Sequence, residues 1–249
     1  MPDSAGAALH ARGCLNVARK ASALIALLSL TAASTAAAQQ AADPANPTCP
    51  QSPNWSTFRQ MRFTYEQVNG VNVLRAEGVL DEDVPTRLQA ALSEHPEADE
   101  IWIRSPGGHA RAGNEAGRII RQSGLPTRIP AGWACFSACN FMFMGGEIRR
   151  VDAGGQFMVH MFTHTNDRDA IRAEVERGED SAIQLIGQLE QQSALLASED
   201  NDFLIRMGIS RQLLTEVMYR QQAVAGGDGS TRRCLTGEEV IRYNVANAQ

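Results

Sequence analysis

The sequence predicts an α/β domain whose C-terminal part is mainly helical. Three observations carry this. Short runs rich in Val, Ile, Phe and Tyr alternate with segments of helical apolar spacing between residues 63 and 162. Asn69-Gly70 joins two extended runs, and both positions of such a turn need positive φ, which marks a hairpin. From Arg168 onward Ile171, Val175, Ile183, Ile186, Leu189, Leu196, Phe203 and Leu204 fall near helical spacing.

The elements follow in order. Phe63 to Val68 and Val71 to Ala76 are the two hairpin strands. Asp81 or Asp83 is the expected N-cap of an amphipathic helix that carries Val84, Leu88 and Leu92 and runs to about Glu94. Asp99 and Glu100 read as surface charges ahead of the buried-type strand Ile101-Trp102-Ile103, which a Pro-Gly-Gly turn ends. A helix from about Arg111 to Gln122 and a short strand, Pro126 to Ile129, come next. Ser137 then opens an apolar helix through Phe141 to Met144, stopped by Gly145-Gly146. Arg149 to Asp152 and Phe157 to Phe162 are further strands.

In the helical part, Gly178 is the expected break and Arg168 to Asp180 a solvated face. Another helix is expected after Ser210, a loop at Gly226 to Ser230, and a capping box at Thr236-Gly237-Glu238-Glu239. Trp102 and Trp133 read as core, and His109 as a solvent-facing loop residue.

The N-terminal stretch reads as an export signal. Arg12, Arg19 and Lys20 precede the apolar run Ala21 to Leu30, and Ala36-Ala37-Ala38 offers a small-residue cleavage site. The organisation expected is a signal peptide over 1–38, a linker over 39–57 tied down at Cys49, and one domain over 58–249. Such a protein is periplasmic or secreted. The formal net charge is −5, and the signal removes more cations than anions, so nucleic acid is excluded as a partner. Cys49, Cys135, Cys139 and Cys234 remain after cleavage, an even number suited to two disulfides in an oxidising compartment. They allow three pairings, and the sequence does not choose among them. A bond made by Cys135 or Cys139 stiffens the turn at Ser137 between them.

Three pieces have the makings of a serine acyl-transfer site. Gly107-Gly108 ends a strand in Ser105-Pro106-Gly107-Gly108 and can present a backbone N–H with no side chain in the way. Ser137 lies at the mouth of a helix, whose dipole and first N–H, that of Ala138, favour an oxyanion. Taken alone, Ser137 reads as an N-cap and His160 as a core histidine at a strand end. Together they offer a nucleophile and the general base that takes its proton.

These pieces resemble a known family. The Ser-Pro-Gly-Gly turn, a serine about thirty residues on, Gly145-Gly146 followed by Arg149-Arg150, and Met158-Val159-His160 resemble the proteolytic subunit of Clp protease and its relatives. The likeness runs roughly from Val68 to Phe162, with a fainter echo at Leu235 to Glu239. It implies the ClpP/crotonase-like fold, with stacked βαβ units and a helical C-terminal part. It implies Ser137 as nucleophile, His160 as base, and Gly108 and Ala138 as oxyanion donors. It also implies self-association, a peptide or protein substrate and no cofactor.

The family's acidic residue falls shortly before Leu235, where this chain has Arg232-Arg233. Asp228 is the nearest acid and is the residue chosen for the third role, with Asp200 and Asp202 as other options and a dyad as a further one. The export-compartment relatives that use a serine–lysine pair are excluded, since Lys20 is the sole lysine of the sequence and leaves with the signal. An ATPase partner is not expected outside the cytoplasm. Cys135, Cys139, His160 and His164 have the ligand types of a zinc site, but the gap between the pairs is too long and oxidation competes for the thiols. The expectation is an exported serine hydrolase of the peptidase type. The alternative is a non-catalytic binding or assembly module on the same fold.

Overall fold

The computed structural model describes residues 42–43, 46–165, 167–220 and 232–248. The signal segment, the loop after Gly226 and Asp228 lie outside the described residues. A two-stranded sheet of β1 (Ala42–Asp43) and β2 (Asn46–Pro50) comes first. Asn69 and Gly70 have φ of 51° and 84°, as a two-residue hairpin turn demands. They join β3 (Arg62–Val68) to β4 (Val71–Glu77) in an antiparallel pair with Val68 opposite Val71.

From β4 the chain climbs through parallel crossovers. α1 (Val84–Glu94) leads to β5 (Glu100–Arg104), and α2 (Ala110–Ser123) leads to β6 (Thr127–Ile129). β8 (Arg149–Val151) completes a five-stranded sheet in the order β3-β4-β5-β6-β8. Each turn also makes a second contact beside that sheet. Leu80 bridges Gly108, Ser105 bridges Cys135, and β7 (Ala134–Phe136) pairs with β9 (Gln156–Val159), all in parallel. Stacked βαβ units are therefore what the chain builds. Leu74, Leu80, Val84, Leu88, Ile101, Ile103 and Ile120 fill the space between sheet and helices. α3 (Ala138–Met144), apolar along its length, is buried along its length.

The helical part forms as the spacing predicts, and most of its apolar residues are exposed or half-buried. α4 (Arg168–Glu176) and α5 (Glu179–Met207) break at Gly178, as predicted, but α4 buries nothing. α5 buries only Asp200, Phe203, Leu204 and Met207 near its end. Val175, Ile183 and Ile186 are exposed, so helical spacing there made a helix without making a core. After Ser210 the chain forms a π-helical turn, Leu213–Val217, and a 3-10 turn, Met218–Arg220, in place of an α-helix. The wider turn lets Leu213, Leu214, Val217 and Met218 all face inward.

β10 (Arg233–Cys234) pairs antiparallel with β9, and Cys234 is bonded to Cys49. α6 (Gly237–Arg242) has its capping box: Thr236 Oγ1 accepts from Glu239 N at 3.2 Å and Glu239 Oε2 from Thr236 N at 3.0 Å. The segment beyond α6 is held by Arg149, a fully buried cation. Its guanidinium donates to the carbonyls of Gly146, Asn244 and Val245, each at 2.9 Å. Desolvation, then the nearby Arg121, brings its pKa down to about 10, so it stays charged at neutral pH.

Several local readings need correction. Asp83 holds the N-cap position of α1 but its side chain makes no cap bond. Asp81 accepts the Asp83 N–H at 3.1 Å and is paired with Arg87. Trp102 is half-buried and not part of the core, with Arg128 over its ring, while Trp133 is half-buried and packs against the core, with Arg104 and Arg75 over its ring. Glu100 is buried, and accepts from Trp102 Nε1 at 2.5 Å and Arg128 Nη1 at 3.5 Å. His109 is exposed, as expected, and in addition is the N-cap of α2: its Nδ1 accepts from Ala112 N at 3.1 Å.

Candidate active site

The register of β7 and β9 sets the site. Cys135 lies opposite Phe157 and Phe136 opposite Met158, so both strands stop at one edge. Ser137 follows β7 there and His160 follows β9. β9 ends at Val159, short of the predicted Phe162; on its β7 side the pairing stops because that strand turns away at Ser137. His160 Nε2 lies 2.7 Å from Ser137 Oγ, within hydrogen-bond distance. The imidazole rests against Phe136, ring centroids 4.7 Å apart, and Trp55 stacks behind Phe136 at 5.8 Å.

Ser137 has φ 59° and ψ −127°, outside the regions an L-residue favours. It sits at the N-cap position of α3, yet its hydroxyl makes no cap bond and points to His160 instead. This is a sharp strand-to-helix elbow that lifts the side chain clear of both elements. The elbow is braced on three sides. Cys135 and Cys139 are joined in a disulfide across it, with Cα atoms 5.4 Å apart. Asn140, next in α3, donates its N–H to Ser137 O at 2.9 Å and its Nδ2 to Met158 O at 2.6 Å, tying α3 to the strand that carries His160. The third brace is Gly107, whose missing Cβ would lie 2.6 Å from both Phe136 O and Ser137 Cβ.

Among the described residues the glycine turn leaves one donor clear. Gly107 N–H goes to Ser105 Oγ at 3.0 Å. The bridge to Leu80 uses Gly107 O and His109 N, at 2.8 and 2.7 Å. A parallel bridge of that kind directs the Gly108 N–H away from Leu80. Ala138 N–H is the first of α3 and has no carbonyl a turn behind it within the helix. It lies 3.1 Å from the point where a Gly107 Cβ would stand, so the glycine turn and the helix mouth are neighbours.

Of the acids weighed for the third role, Asp228 lies outside the described residues. Asp202 is exposed and paired with Arg206 at 2.7 Å. Asp200 is buried and accepts from Asn114 Nδ2 at 2.9 Å. With Cys135 and Cys139 bonded to each other, their thiolates are taken from any zinc site.

Asp200 is a group the sequence did not single out as buried. Desolvation raises its pKa to about 6, against the Asn114 hydrogen bond, which lowers it, and with Glu199, which raises it. The folded protein thus binds a proton more tightly here than the unfolded chain does. Its stability falls as pH rises from about 4 to about 6, and the penalty is complete above that. Asp200→Asn is expected to raise stability by about 1–3 kcal/mol at pH 8, with the gain vanishing below about pH 4. Urea unfolding at both pH values measures this, and an equal effect at both would be the contrary result.

No family model matches the chain, and no curated protein matches its sequence. Among solved structures it is similar to a variant of ClpP1 from Listeria monocytogenes, with 16% identity and a TM-score of 0.45, over 70% of this chain and 88% of that one. It is also similar to a variant of the 1510-N membrane-bound stomatin-specific protease, with 14% identity and a TM-score of 0.43, over 70% of this chain and 75% of that one. Likeness at this level does not assign an activity.

Proposed function

We propose that the protein is an exported serine hydrolase acting on peptides. The observation that carries the reading is the 2.7 Å approach of His160 Nε2 to Ser137 Oγ, at an elbow whose backbone favours presentation of that side chain. Ser137 attacks the carbonyl carbon while His160 takes its proton. The carbonyl oxygen, now negative, accepts from Gly108 N–H and Ala138 N–H. Collapse breaks the C–N bond, and His160 hands its proton to the leaving amine. A water, deprotonated by His160, then releases the acyl group from Ser137. Asp228 is the residue proposed to orient the imidazole.

A cleft of about 430 Å³ offers room for parts of a substrate that flank the reacting bond, since its lining does not include Ser137 or His160 themselves. Its lining takes His109 and Arg111, which follow Gly108, and Phe162 and His164, which follow His160. Gln192 and Leu196 of α5 close the other side. The two disulfides support an oxidising compartment, and among the described residues no helix is long and apolar enough to cross a membrane. An acidic chain without a cofactor or an ATPase partner, able to self-associate, completes the reading.

A fluorophosphonate probe tests it. Labelling of the purified protein is expected at Ser137, located by mass spectrometry, and is expected to be lost in His160→Ala. Folded protein that takes no label would favour the binding-module alternative.

A further inference from the structure

We propose that the Cys135–Cys139 disulfide positions the Ser137 nucleophile, setting its alignment with His160 more than holding the fold together; this rests on the hydrolase reading above. The bond joins the residue two before Ser137 to the residue two after it. Four residues of extended chain reach about 13 Å, whereas these Cα atoms are 5.4 Å apart. The bond therefore fixes a chain reversal centred on Ser137, where the backbone holds φ 59° against its own preference.

The two ends belong to the two bodies that must be aligned. Cys135 bridges Ser105, the start of the glycine turn, and pairs with Phe157 in the strand leading to His160. Cys139 sits in the first turn of α3, beside Ala138 and Asn140. A shift of α3 against β7 moves Ser137 Oγ relative to His160 Nε2 and the Ala138 N–H relative to Gly108.

Loop size points the same way. The bond spans a sequence separation of 4, against 185 for Cys49–Cys234. Chain-entropy stabilisation grows with loop length, so the elbow bond is the weaker of the two as a global staple. Both its cysteines are fully buried, and Asn140 and Gly107 still hold α3 when the bond is gone. The fold is thus expected to survive the loss while the elbow loses its setting.

The test compares Cys135→Ala/Cys139→Ala with wild type and with wild type reduced by a phosphine, in which no side chain is changed. Oxidised Cys49→Ala/Cys234→Ala separates the effect of the other bond. Three readouts are taken: kcat and KM on p-nitrophenyl acetate, the rate of fluorophosphonate labelling at Ser137, and the ¹⁵N signal of His160 Nε2. With circular dichroism unchanged, kcat and the labelling rate are expected to fall at least about tenfold, at a KM within about twofold of wild type. The His160 signal is expected to move to the position seen in Ser137→Ala. A folded, bond-free protein with wild-type kcat and an unmoved His160 signal overturns the proposal. Unfolding of the reduced protein and of the Cys135→Ala/Cys139→Ala variant would also overturn it, by making the bond a global staple. If wild type takes no label at Ser137, the hydrolase reading fails separately. The His160 signal then still decides: moved, the bond sets the Ser137–His160 contact; unmoved, it does not.

Discussion

Ser137→Ala is expected to lower kcat for hydrolysis by about 10⁴-fold or more, His160→Ala by a similar factor, and the double variant by no more than either alone. In the proposed mechanism Oγ and Nε2, which lie 2.7 Å apart, act as one unit. Without the base the hydroxyl keeps its proton, and without the hydroxyl there is no nucleophile for the base to serve. Additive losses in the double variant would instead mean two independent contributions, such as binding, and would remove the nucleophile–base assignment. KM is expected to change little, because neither atom is asked to hold the substrate's ground state. A third substitution separates activity from fold. Ser137→Gly relieves a backbone conformation costing of order 1–3 kcal/mol, so it is expected to be inactive yet more thermally stable than Ser137→Ala. The comparison with wild type is the sharper one: an ordinary N-cap serine loses its cap bond in both variants, so both would be less stable than wild type, whereas Ser137 makes no cap bond and Ser137→Gly is expected to exceed wild type in Tm.

How far the sequence foretold this depended on the range over which each signal acts. Asn69-Gly70, Gly178 and the Thr236 capping box were legible because their chemistry lies within a few residues and the chain obeys it locally. The approach of Ser137 to His160 was legible only through motif order, since the register that brings β7 beside β9 is a property of the whole stack. The disulfide pairing was not legible, because three pairings fit four cysteines equally well until the elbow brings Cys139 back over Cys135. Burial was the weakest inference of all. Val175 and Ile183 have the spacing of core residues and face outward, whereas Glu100, Arg149 and Asp200 are charged and lie inside. Periodicity tells which residues share a face, not what covers that face. Asp200 and Arg149 were silent because their partners are distant in sequence. Asp200 meets Asn114 across 86 residues, and Arg149 meets Val245 across 96.

Gly107→Ala is the second large effect expected, and it comes from space more than from lost contacts. The glycine has φ 88°, and a Cβ added there would stand 2.6 Å from both Phe136 O and Ser137 Cβ. Real Cβ atoms do not approach so closely, and neither neighbour is a flexible side-chain tip; one is backbone and the other is the root of the proposed nucleophile. Something must move, and the disulfide and Asn140 hold the elbow from its other sides. The displacement therefore divides between the glycine turn and the elbow, and either share separates Gly108 N–H from Ala138 N–H. Losing one oxyanion donor costs about 10²–10³ in kcat, and the positive φ adds about 1–2 kcal/mol to the steric cost in stability. Gly132→Ala is the matched control, since Gly132 has φ 77° but nothing within 4 Å of its added Cβ. It is expected to show the backbone cost alone, a small fall in Tm with kcat retained. Were both variants to lose stability equally while keeping activity, the close packing of the glycine turn on the elbow would have no catalytic consequence, and the oxyanion donors would have to be sought elsewhere.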